Sequence, residues 1–387
     1  MLCVLTNLRR KTADLDIFCL AISFKNYEGQ DTPMKNFKRI GVLTSGGDAP
    51  GMNAAVRAVA RTALARGVEV MAIYRGYSGL IDGDIKPLDI RDVSNIINRG
   101  GTILYSDRCP EFKTEAGMQK GVDTCHRFGI DGIVAIGGDG TFRGATKLTA
   151  HGIPCIGIPG TIDNDITSTD NTIGFDTAMN TVIELIDKLR DTCESHARCN
   201  VVEVMGRGAG DIALNTAIAS GATAVIIPEF PHDDDSLCRR IKRARELGKR
   251  NFIVIVSEGV GPDYAPALAK KIQSETGVET KFARLAHIVR GGNPNLRDRI
   301  LASRMGVYAV EELLRGNSNV VICEKNGEIV SKDINYALIL DKMYKNNLEE
   351  GDLDGFSEED VARMKADIAD RESSLLQLYM VENKINL

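Results

Sequence analysis

The sequence has no tryptophan, no excess of basic charge and no long hydrophobic run. Its 53 acidic and 48 basic side chains give a net charge of −5. That balance disfavours a nucleic-acid binder, because such proteins need a cationic surface to displace counterions. The apolar stretch at residues 17–24 is far shorter than the ~18 residues that cross a bilayer, and acidic residues precede it where a signal peptide has basic ones. We therefore expect no nucleic acid and no membrane as partner, and no export.

The cysteines also exclude two classes of protein. There are nine, an odd number, and no two of them form a Cys-x-x-Cys pair. A disulfide framework or a zinc site is therefore disfavoured, and reduced thiols are the better interpretation. We expect a cytoplasmic location.

Short apolar runs alternate with helical patterns from residue 37 to about residue 340. The runs are rich in β-branched residues, continuous rather than alternating in polarity, and mostly followed by glycine-rich turns, as is typical of parallel strands covered on both faces. The pattern predicts an α/β protein with two Rossmann-like, doubly wound domains and a site in the cleft between them, outside the carboxyl ends of the strands. The predicted strands are residues 40–43, 68–73, 132–136, 155–158, 201–204, 223–227 and 252–256.

The two ends of the chain differ from this pattern. Residues 1–36 have no repeating period, and we interpret them as an N-terminal extension, either disordered or translated from an early start upstream of Met34. Residues 340–387 are acidic and helix-like, with a helix start predicted at Ser357. We interpret this C-terminal part as a solvated appendage rather than as part of the chemistry.

Two glycine-rich turns follow predicted strands. In the first, residues 44–53, glycines and a following helix N-terminus suit the close approach of a phosphate, although a Gly-Gly turn is as often only a tight turn. The second, residues 136–141, places Asp139 among glycines at a strand end. Such an aspartate suits Mg²⁺ beside a nucleotide phosphate. The alternative is a turn aspartate that bonds its own backbone, which two Gly-Gly-Asp turns in one chain make the weaker reading.

A third turn, residues 159–165, contains two carboxylates. If it is extended, Asp163 and Asp165 point to one side and Asn164 to the other. One carboxylate then suits a general base for a hydroxyl group, and the other suits a positioning or metal-holding role. Acidic surface loops are common, but the neighbouring Gly-Gly-Asp turns favour the functional reading.

Basic and polar side chains also lie at predicted strand ends or in loops, where a phosphorylated substrate needs cationic contacts. A solvated surface position is the alternative for any one of them. The group consists of Arg108, Arg198, Arg207, Glu258, His287 and Arg290. His126, His151 and His232 have no such context, and we interpret them as structural or exposed.

Together these motifs resemble the ATP-dependent 6-phosphofructokinases of the bacterial type. The Gly-Gly-Asp-Gly-Thr turn is shared with NAD and lipid kinases, whereas Pro-Gly-Thr-Ile-Asp-Asn-Asp is far more particular to phosphofructokinases. The matching segments are residues 41–55, 98–102, 137–141, 159–165, 202–207 and 299–306.

The resemblance implies transfer of the γ-phosphoryl group of Mg-ATP to the 1-hydroxyl of fructose 6-phosphate, in glycolysis. It implies Asp163 as general base, Thr161, Asp165 and Arg207 as further catalytic residues, and Asp139 as the Mg²⁺ ligand. The implied ATP-binding residues are Gly47, Tyr77, Arg108, Cys109, Gly138, Asp139, Gly140 and Thr141. The implied substrate-binding residues are Thr161, Ile162, Asp163, Arg198, Met205, Gly206, Arg207, Glu258, Lys281, His287 and Arg290.

The resemblance also implies a domain division and an oligomer. The larger, ATP-binding domain comprises residues 37–174 and 289–339, and the smaller, sugar-phosphate-binding domain comprises residues 175–288 and 340–387. Because the family supplies the contacts at Arg198 and Lys281 from a neighbouring subunit, we expect a homo-oligomer, usually a tetramer.

Several positions distinguish this chain within the family. Gly140 and Gly160 favour ATP, since pyrophosphate-using relatives typically carry Asp and Lys there. Lys281 replaces the usual arginine, and Cys109 stands where an aromatic residue is common. Arg57, Arg61, Arg190 and Lys249 match an effector site between subunits. Ile90, Thr223 and Leu247 depart from the charged residues expected at that site, so we expect weak or altered effector control.

Three alternatives remain open at this level. A pyrophosphate-dependent phosphofructokinase is disfavoured by Gly140 and Gly160. A kinase of the NAD or lipid class would lack the Asp163 and Asp165 segment. A non-catalytic paralogue would be expected to lack Asp163 or Asp139, and both are present.

Overall fold

The structure, a computed structural model, describes residue 35 and residues 37–385. The hypothesis on residues 1–36 therefore lies, apart from Lys35, outside the described residues. The strands are β1 (Arg39–Thr44), β2 (Glu69–Ile73), β3 (Ile85–Pro87), β4 (Gly132–Gly137), β5 (Cys155–Pro159), β6 (Cys199–Val204), β7 (Ala224–Ile226), β8 (Phe252–Ser257), β9 (Thr280–Arg284), β10 (Val320–Lys325) and β11 (Glu328–Asp333).

Helices connect most of these strands. They are α1 (Met52–Ala65), α2 (Gly76–Asp82), α3 (Glu115–Phe128), α4 (Asp139–Ala150), α5 (Phe175–His196), α6 (Asp211–Ser220), α7 (Asp234–Glu246), α8 (Tyr264–Thr276), α9 (Leu296–Leu314), α10 (Ile334–Tyr344) and α11 (Glu358–Ile385). Short 3₁₀ turns lie at Glu111–Lys113, Glu258–Val260 and Ala286–Arg290. No helix in the described part of the chain combines the length and the apolar character needed to span a bilayer.

The strands form two sheets. The seven-stranded sheet has the order β11-β10-β5-β4-β1-β2-β3, with a parallel interior and antiparallel edge strands β3 and β11. The four-stranded sheet has the order β7-β8-β6-β9 and is parallel throughout. All residues of β4, β5 and β8 are buried, as expected of parallel strands with helices on both faces. The predicted α/β fold class is confirmed, and the exact domain boundaries remain a prediction.

One hydrophobic core runs through both sheets. It contains Ile156 of the larger sheet, Val182 and Ile186 of α5, and Val202 and Ile255 of the smaller sheet, all fully buried. Because these side chains pack in one cluster, the core connects the two sheets through α5.

A buried carboxylate fastens the start of α5 to α9. Asp298 on α9 is 1% exposed and accepts hydrogen bonds from the backbone N–H groups of Gly174 and Thr177, each at 2.8 Å, and from the Thr177 hydroxyl. It thereby satisfies N–H groups that the first turn of a helix leaves unpaired. Burial raises the pKa of Asp298, and these hydrogen bonds act in the opposite direction.

The C-terminal helix begins where the sequence predicts. Ser357 Oγ accepts from the N–H of Asp360 at 3.1 Å, and Asp360 Oδ2 accepts from the N–H of Ser357 at 3.2 Å, which is a reciprocal N-terminal cap. Helix α11 then packs along α6 and β7, buries Met364 and Leu375, and stacks Tyr379 on the ring of Phe230. The interpretation of this segment as a solvated appendage is wrong, because the helix packs against α6 and β7 and buries Met364 and Leu375.

Candidate active site

Three turns meet at the carboxyl ends of β1, β4 and β5, which are neighbours in the larger sheet. Thr141 Oγ1 donates to the carbonyl of Ser45 at 3.2 Å, and the N–H of Gly160 donates to the carbonyl of Gly137 at 3.0 Å. Gly137 is so enclosed that a Cβ atom there would lie 2.3 Å from the Ser45 carbonyl. The three turns that the sequence analysis identifies therefore lie side by side at one edge of the larger sheet, at the carboxyl ends of its strands.

The turn after β1 brings two predicted site residues together. Gly46 has φ +86°, and the next residue, Gly47, is exposed. Arg290 Nη1 donates to the carbonyl of Asp48 at 3.3 Å, and a Cβ atom on Gly47 would come within 2.6 Å of the same nitrogen. A guanidinium beside an exposed glycine backbone suits contact with a phosphate oxygen.

The turn after β4 leaves open space around a buried carboxylate. Asp139 is the first residue of α4, and nothing lies within 4 Å of a Cβ atom placed on Gly138 or Gly140. Asp139 Oδ1 is buried and has no hydrogen-bond partner among the described residues, so the reading as a turn aspartate bonded to its own backbone is not supported. Such an unsatisfied oxygen is costly and is expected where a ligand completes the site.

Below this turn lies the predicted ATP-binding residue Tyr77. Its hydroxyl donates to the carbonyl of Thr141 at 2.5 Å, and its ring stacks on Phe112 with centroids 4.2 Å apart. Tyr77 is only 4% exposed, so it supports the turn from within the core.

The turn after β5 is bent rather than extended. Asn164 has φ +51°, a left-handed conformation, and its side chain bonds the carbonyl of Asp170, the N–H of Thr172 and Asp211. The assumption that residues 159–165 form an extended segment is therefore wrong. The bend nevertheless separates Asn164 from both carboxylates, which are buried, Asp163 at 5% and Asp165 at 6% exposure.

Burial and charge give Asp163 the properties of a base. Burial, followed by the nearby Asp165 carboxylate, raises the pKa of Asp163, and Arg290 and Arg207 act in the opposite direction. Arg290 Nη2 lies 3.7 Å from Asp163 Oδ1, an oxygen without a hydrogen-bond partner among the described residues. The N–H of Asp163 donates to Thr161 Oγ1 at 3.2 Å, which ties Thr161 to the same turn.

The smaller sheet contributes the opposite wall. Arg207 follows β6 with φ +58°; its N–H donates to Glu258 Oε1 at 2.9 Å and its guanidinium to Asp165 Oδ2 at 3.3 Å. The N–H of Gly206 donates to the same glutamate oxygen at 3.3 Å. The structure therefore gathers Met205, Gly206, Arg207 and Glu258 at the ends of β6 and β8, across from Asp163 and Asp165.

Other predicted residues lie apart from the carboxylates in the described chain. Arg198 and Lys281 both pair with Glu279, at 2.7 and 2.9 Å, and these hydrogen bonds lower the pKa of Glu279 to about 2. Arg108 and His287 are exposed, and Cys109 is half-buried.

The effector candidates form two pairs. Arg57 and Arg61 share α1, and burial and then Arg61 lower the pKa of Arg57. Burial, followed by Arg190, lowers the pKa of Lys249. Of the departures from the family, Leu247 and Ile90 are exposed, at 80% and 45%, and Thr223 is buried.

The sequence reasoning missed the contribution of the C-terminal segment. Lys345 Nζ lies 3.6 Å from Asp139 Oδ2 and 3.5 Å from Asp165 Oδ2, and it donates to the carbonyl of Asp165 at 2.8 Å. Arg371 on α11 donates to the carbonyl of Asn164 at 2.8 Å. The 180 residues between Lys345 and Asp165 leave no local motif that predicts this contact.

The residues fit a magnesium ion that arrives with a nucleotide. In the described chain, no three His, Cys, Asp or Glu side chains are placed to hold a metal ion by themselves. Mg²⁺ commonly takes one or two carboxylates and completes its coordination with water and phosphate oxygens. Asp139 and Asp165 supply such a pair of carboxylates. Both lie beside the ammonium group of Lys345, and Asp139 Oδ1 is buried without a hydrogen bond in the described chain.

Comparisons with known proteins agree with this geometry. The family model described as "Phosphofructokinase" matches residues 39–313. A protein named ATP-dependent 6-phosphofructokinase from Bacillus pumilus (strain SAFR-032) is 57% identical over 307 residues, which cover 79% of this chain and 95% of the relative. One of the same name from Clostridium novyi (strain NT) is 55% identical over 311 residues, covering 80% and 97%.

A solved structure is similar as well. The phosphofructokinase from Saccharomyces cerevisiae matches with a TM-score of 0.77 and 32% identity, over 89% of this chain and 49% of the yeast chain. This chain thus spans about half the length of that yeast chain.

Proposed function

This chain belongs to the phosphofructokinase family, and on that premise we propose that it transfers the γ-phosphoryl group of ATP to the 1-hydroxyl of fructose 6-phosphate. The products are ADP and fructose 1,6-bisphosphate, and the reaction is a step of glycolysis. The observation that carries the mechanism is the buried Asp163 carboxylate, whose Oδ1 has no hydrogen-bond partner in the described chain and lies in one cluster with Asp165 and Asp139.

Asp163 acts as the general base. The sugar 1-oxygen forms a bond to the γ-phosphorus while the bond from that phosphorus to the bridging oxygen of ADP breaks, and the hydroxyl proton passes to Asp163. A raised pKa suits this task, because a base works best when its pKa is close to the working pH. Thr161 and Asp165 support the turn that presents this base.

The remaining groups position substrate and balance charge, which is the main source of catalysis in phosphoryl transfer. Asp139, with Asp165, would hold Mg²⁺, and the bound ion would supply positive charge toward the phosphate oxygens. Arg207 stands on the opposite wall, where a cation stabilises charge on the transferred group. The exposed Gly47 backbone and Arg108 would contact the phosphates of ATP. Glu258, His287 and Arg290 would contact the sugar phosphate.

ATP rather than pyrophosphate is the proposed donor. The open space at Gly138 and Gly140 leaves room for the rest of a nucleotide beyond the transferred phosphate. At Gly160 a Cβ atom would lie 3.1 Å from both Ile136 and Met52, so this site accommodates glycine best. We also propose that the working unit is a homo-oligomer, usually a tetramer in this family, in which Arg198 and Lys281 complete the sugar-phosphate site of a neighbouring subunit.

The test compares Asp163→Asn with wild type, using fructose 6-phosphate and either ATP or pyrophosphate. Loss of a general base costs about 10²–10⁴ in kcat, so we expect a loss of that size with ATP. Asp187→Asn, on the exposed face of α5, is the matched control and should keep full activity. Unchanged turnover in Asp163→Asn would reject the mechanism, and faster wild-type turnover with pyrophosphate would reject the donor assignment.

A further inference from the structure

An ammonium group from outside the matched family region lies between two carboxylates of the proposed active site. Lys345 Nζ is 3.6 Å from Asp139 Oδ2 and 3.5 Å from Asp165 Oδ2, and both carboxylates are at least four-fifths buried. The family model ends at residue 313, and Lys345 follows directly after α10. The ammonium thus occupies the space in which a cation shared by the two carboxylates would lie.

Local charge explains why a cation is needed there. A third buried carboxyl group, that of Asp341, lies near Asp139. Asp341 is 4% exposed and accepts a hydrogen bond from the N–H of Thr167 at 2.6 Å. Burial and then Asp139 raise the pKa of Asp341. Burial alone would lower the pKa of Lys345, but Asp139, Asp341 and Asp165 outweigh it and raise that pKa. Carboxylates this close repel one another unless a cation lies among them.

The fold holds Lys345 in this position from the far side. Arg371 on α11 lies over the ring of Tyr344, the residue before Lys345, with its guanidinium carbon 5.4 Å from the ring centroid. The same guanidinium donates to the carbonyl of Asn164 and pairs with Asp211 Oδ2 at 3.2 Å. One side chain of α11 therefore fixes both the base of Lys345 and the turn that carries Asp163 and Asp165.

We propose that Lys345 is an internal cation that occupies the metal position between Asp139 and Asp165 in the free enzyme and gives way to the divalent ion that enters with the nucleotide. This role rests on the proposed function, because it takes Asp139 and Asp165 as the metal-holding pair. The contacts with the two carboxylates, at 3.5 and 3.6 Å, are ion pairs longer than hydrogen bonds, and one hydrogen bond, to the carbonyl of Asp165 at 2.8 Å, must break when Lys345 gives way. The side chain remains 30% exposed, so the flexible lysine stem has a path toward solvent. Lys345 is thus a positioning residue that competes with the metal ion.

The test measures Mn²⁺ binding to the full-length protein by electron paramagnetic resonance, without nucleotide or sugar. Lys345→Met removes the competing charge while keeping the length of the stem, so we expect Mn²⁺ to bind about tenfold more tightly than in wild type. Lys345→Arg should bind Mn²⁺ like wild type. Lys342→Met is the matched control, since Lys342 lies in the last turn of α10, just before Lys345, but pairs with Asp352 and Glu349.

A second readout is thermal unfolding with EDTA and with Mg²⁺. Lys345→Met should unfold at a lower temperature than wild type in EDTA and recover more than wild type on addition of Mg²⁺, because the ion replaces the lost cation. Unchanged or weaker Mn²⁺ binding in Lys345→Met would overturn the proposal. Asp139→Asn separates this failure from failure of the proposed function: if it binds Mn²⁺ as wild type does, the metal placement itself is wrong.

Discussion

Asp298 and Asp163 are both buried carboxylates whose pKa values are raised for the same first reason, burial, yet their surroundings differ. Asp298 receives hydrogen bonds from Gly174 and Thr177 and is satisfied by them. Asp139 and Asp163 each keep a buried oxygen without a hydrogen-bond partner in the described chain. A shifted pKa therefore does not separate structural from functional acids here. The difference between Asp298 and these two aspartates is the missing hydrogen bonds, which a fold tolerates where a ligand provides the partner.

The variant Asp139→Asn is the strongest test of this difference between the buried carboxylates. Because Asp139 would hold the ion that balances charge on the transferred phosphate, we expect kcat with ATP to fall about 10²–10³-fold, as when one electrostatic contact to a transition state is removed. The free energy of unfolding in the absence of nucleotide should change by less than about 1 kcal/mol. No hydrogen bond to Asp139 Oδ1 is lost, and the loss of the ion pair with Lys345 is offset by weaker repulsion from Asp341. Steady-state kinetics and urea unfolding check both halves, and a large loss of stability would contradict the distinction.

Asp298→Ala should give the opposite result. It leaves the N–H groups of Gly174 and Thr177 and the Thr177 hydroxyl without their acceptor inside the core, at a cost of about 1–3 kcal/mol for each buried group. We expect a loss of about 3 kcal/mol or more in urea unfolding, with kcat preserved at temperatures where the protein is folded. Asp187→Asn is the control, and a stable but inactive Asp298→Ala would place Asp298 with the active-site acids instead.

A third prediction concerns Arg198 and Lys281, the two cations proposed to contact fructose 6-phosphate. A lost charge-assisted hydrogen bond is worth about 1.5–3 kcal/mol, so Arg198→Ala should raise KM for fructose 6-phosphate by about tenfold or more. Glu279→Gln is the matched variant, because it releases both cations from their present partner. It should lower that KM or leave it unchanged. A raised KM in Glu279→Gln would mean that the glutamate orients the two cations rather than competing for them.

The pH dependence of kcat tests the role of Asp163 as general base. Its raised pKa means that the carboxylate takes up a proton at a higher pH than an ordinary aspartate, whose pKa is about 3.9. Since only the deprotonated form accepts the hydroxyl proton, kcat should fall as the pH is lowered through this raised value. Arg290→Met removes a cation that lowers this pKa, so its acid limb should move to still higher pH. An acid limb at the ordinary aspartate value would contradict the assignment, provided that unfolding is excluded by circular dichroism over the same range.

The smallest effect that we expect is that of effectors on the saturation curve for fructose 6-phosphate. Because Ile90, Thr223 and Leu247 lack the charges expected at the effector site, ADP and phosphoenolpyruvate should leave the saturation curve for fructose 6-phosphate nearly hyperbolic. Titration of activity with each compound measures this. A strong sigmoidal response would show that Arg57, Arg61, Arg190 and Lys249 suffice for control.

Most strands of the fold were predictable because strands buried on both faces give continuous apolar runs, and the short edge strand β7 was predicted as well. The interior strand β10 was missed, although residues 320–323 form such a run. The edge strands β9 and β11 gave no such signal. Strand β9 includes the exposed Lys281 and Arg284, and β11 is only partly buried. Both lack the run of apolar residues that a covered strand needs.

The site was predictable only in part. Glycine-rich turns mark the ends of β1, β4 and β5, so the principal carboxylates could be found from local sequence. The bend at Asn164 could not, because it is fixed by tertiary contacts with Thr172 and Asp211. Lys345 and Arg371 were missed for the same reason, since they reach the turn across 180 and 207 residues of sequence.

The hydrophobic core shared by the two sheets limits how this enzyme can move. A hinge needs a flexible joint with few packed side chains, whereas Val182 and Ile186 of α5 lie in the same cluster as side chains of both sheets. We therefore expect closure around the substrates to use small sliding displacements of packed helices. Turnover should accordingly be sensitive to bulky substitutions on the inner face of α5, even though that face lies within the hydrophobic core.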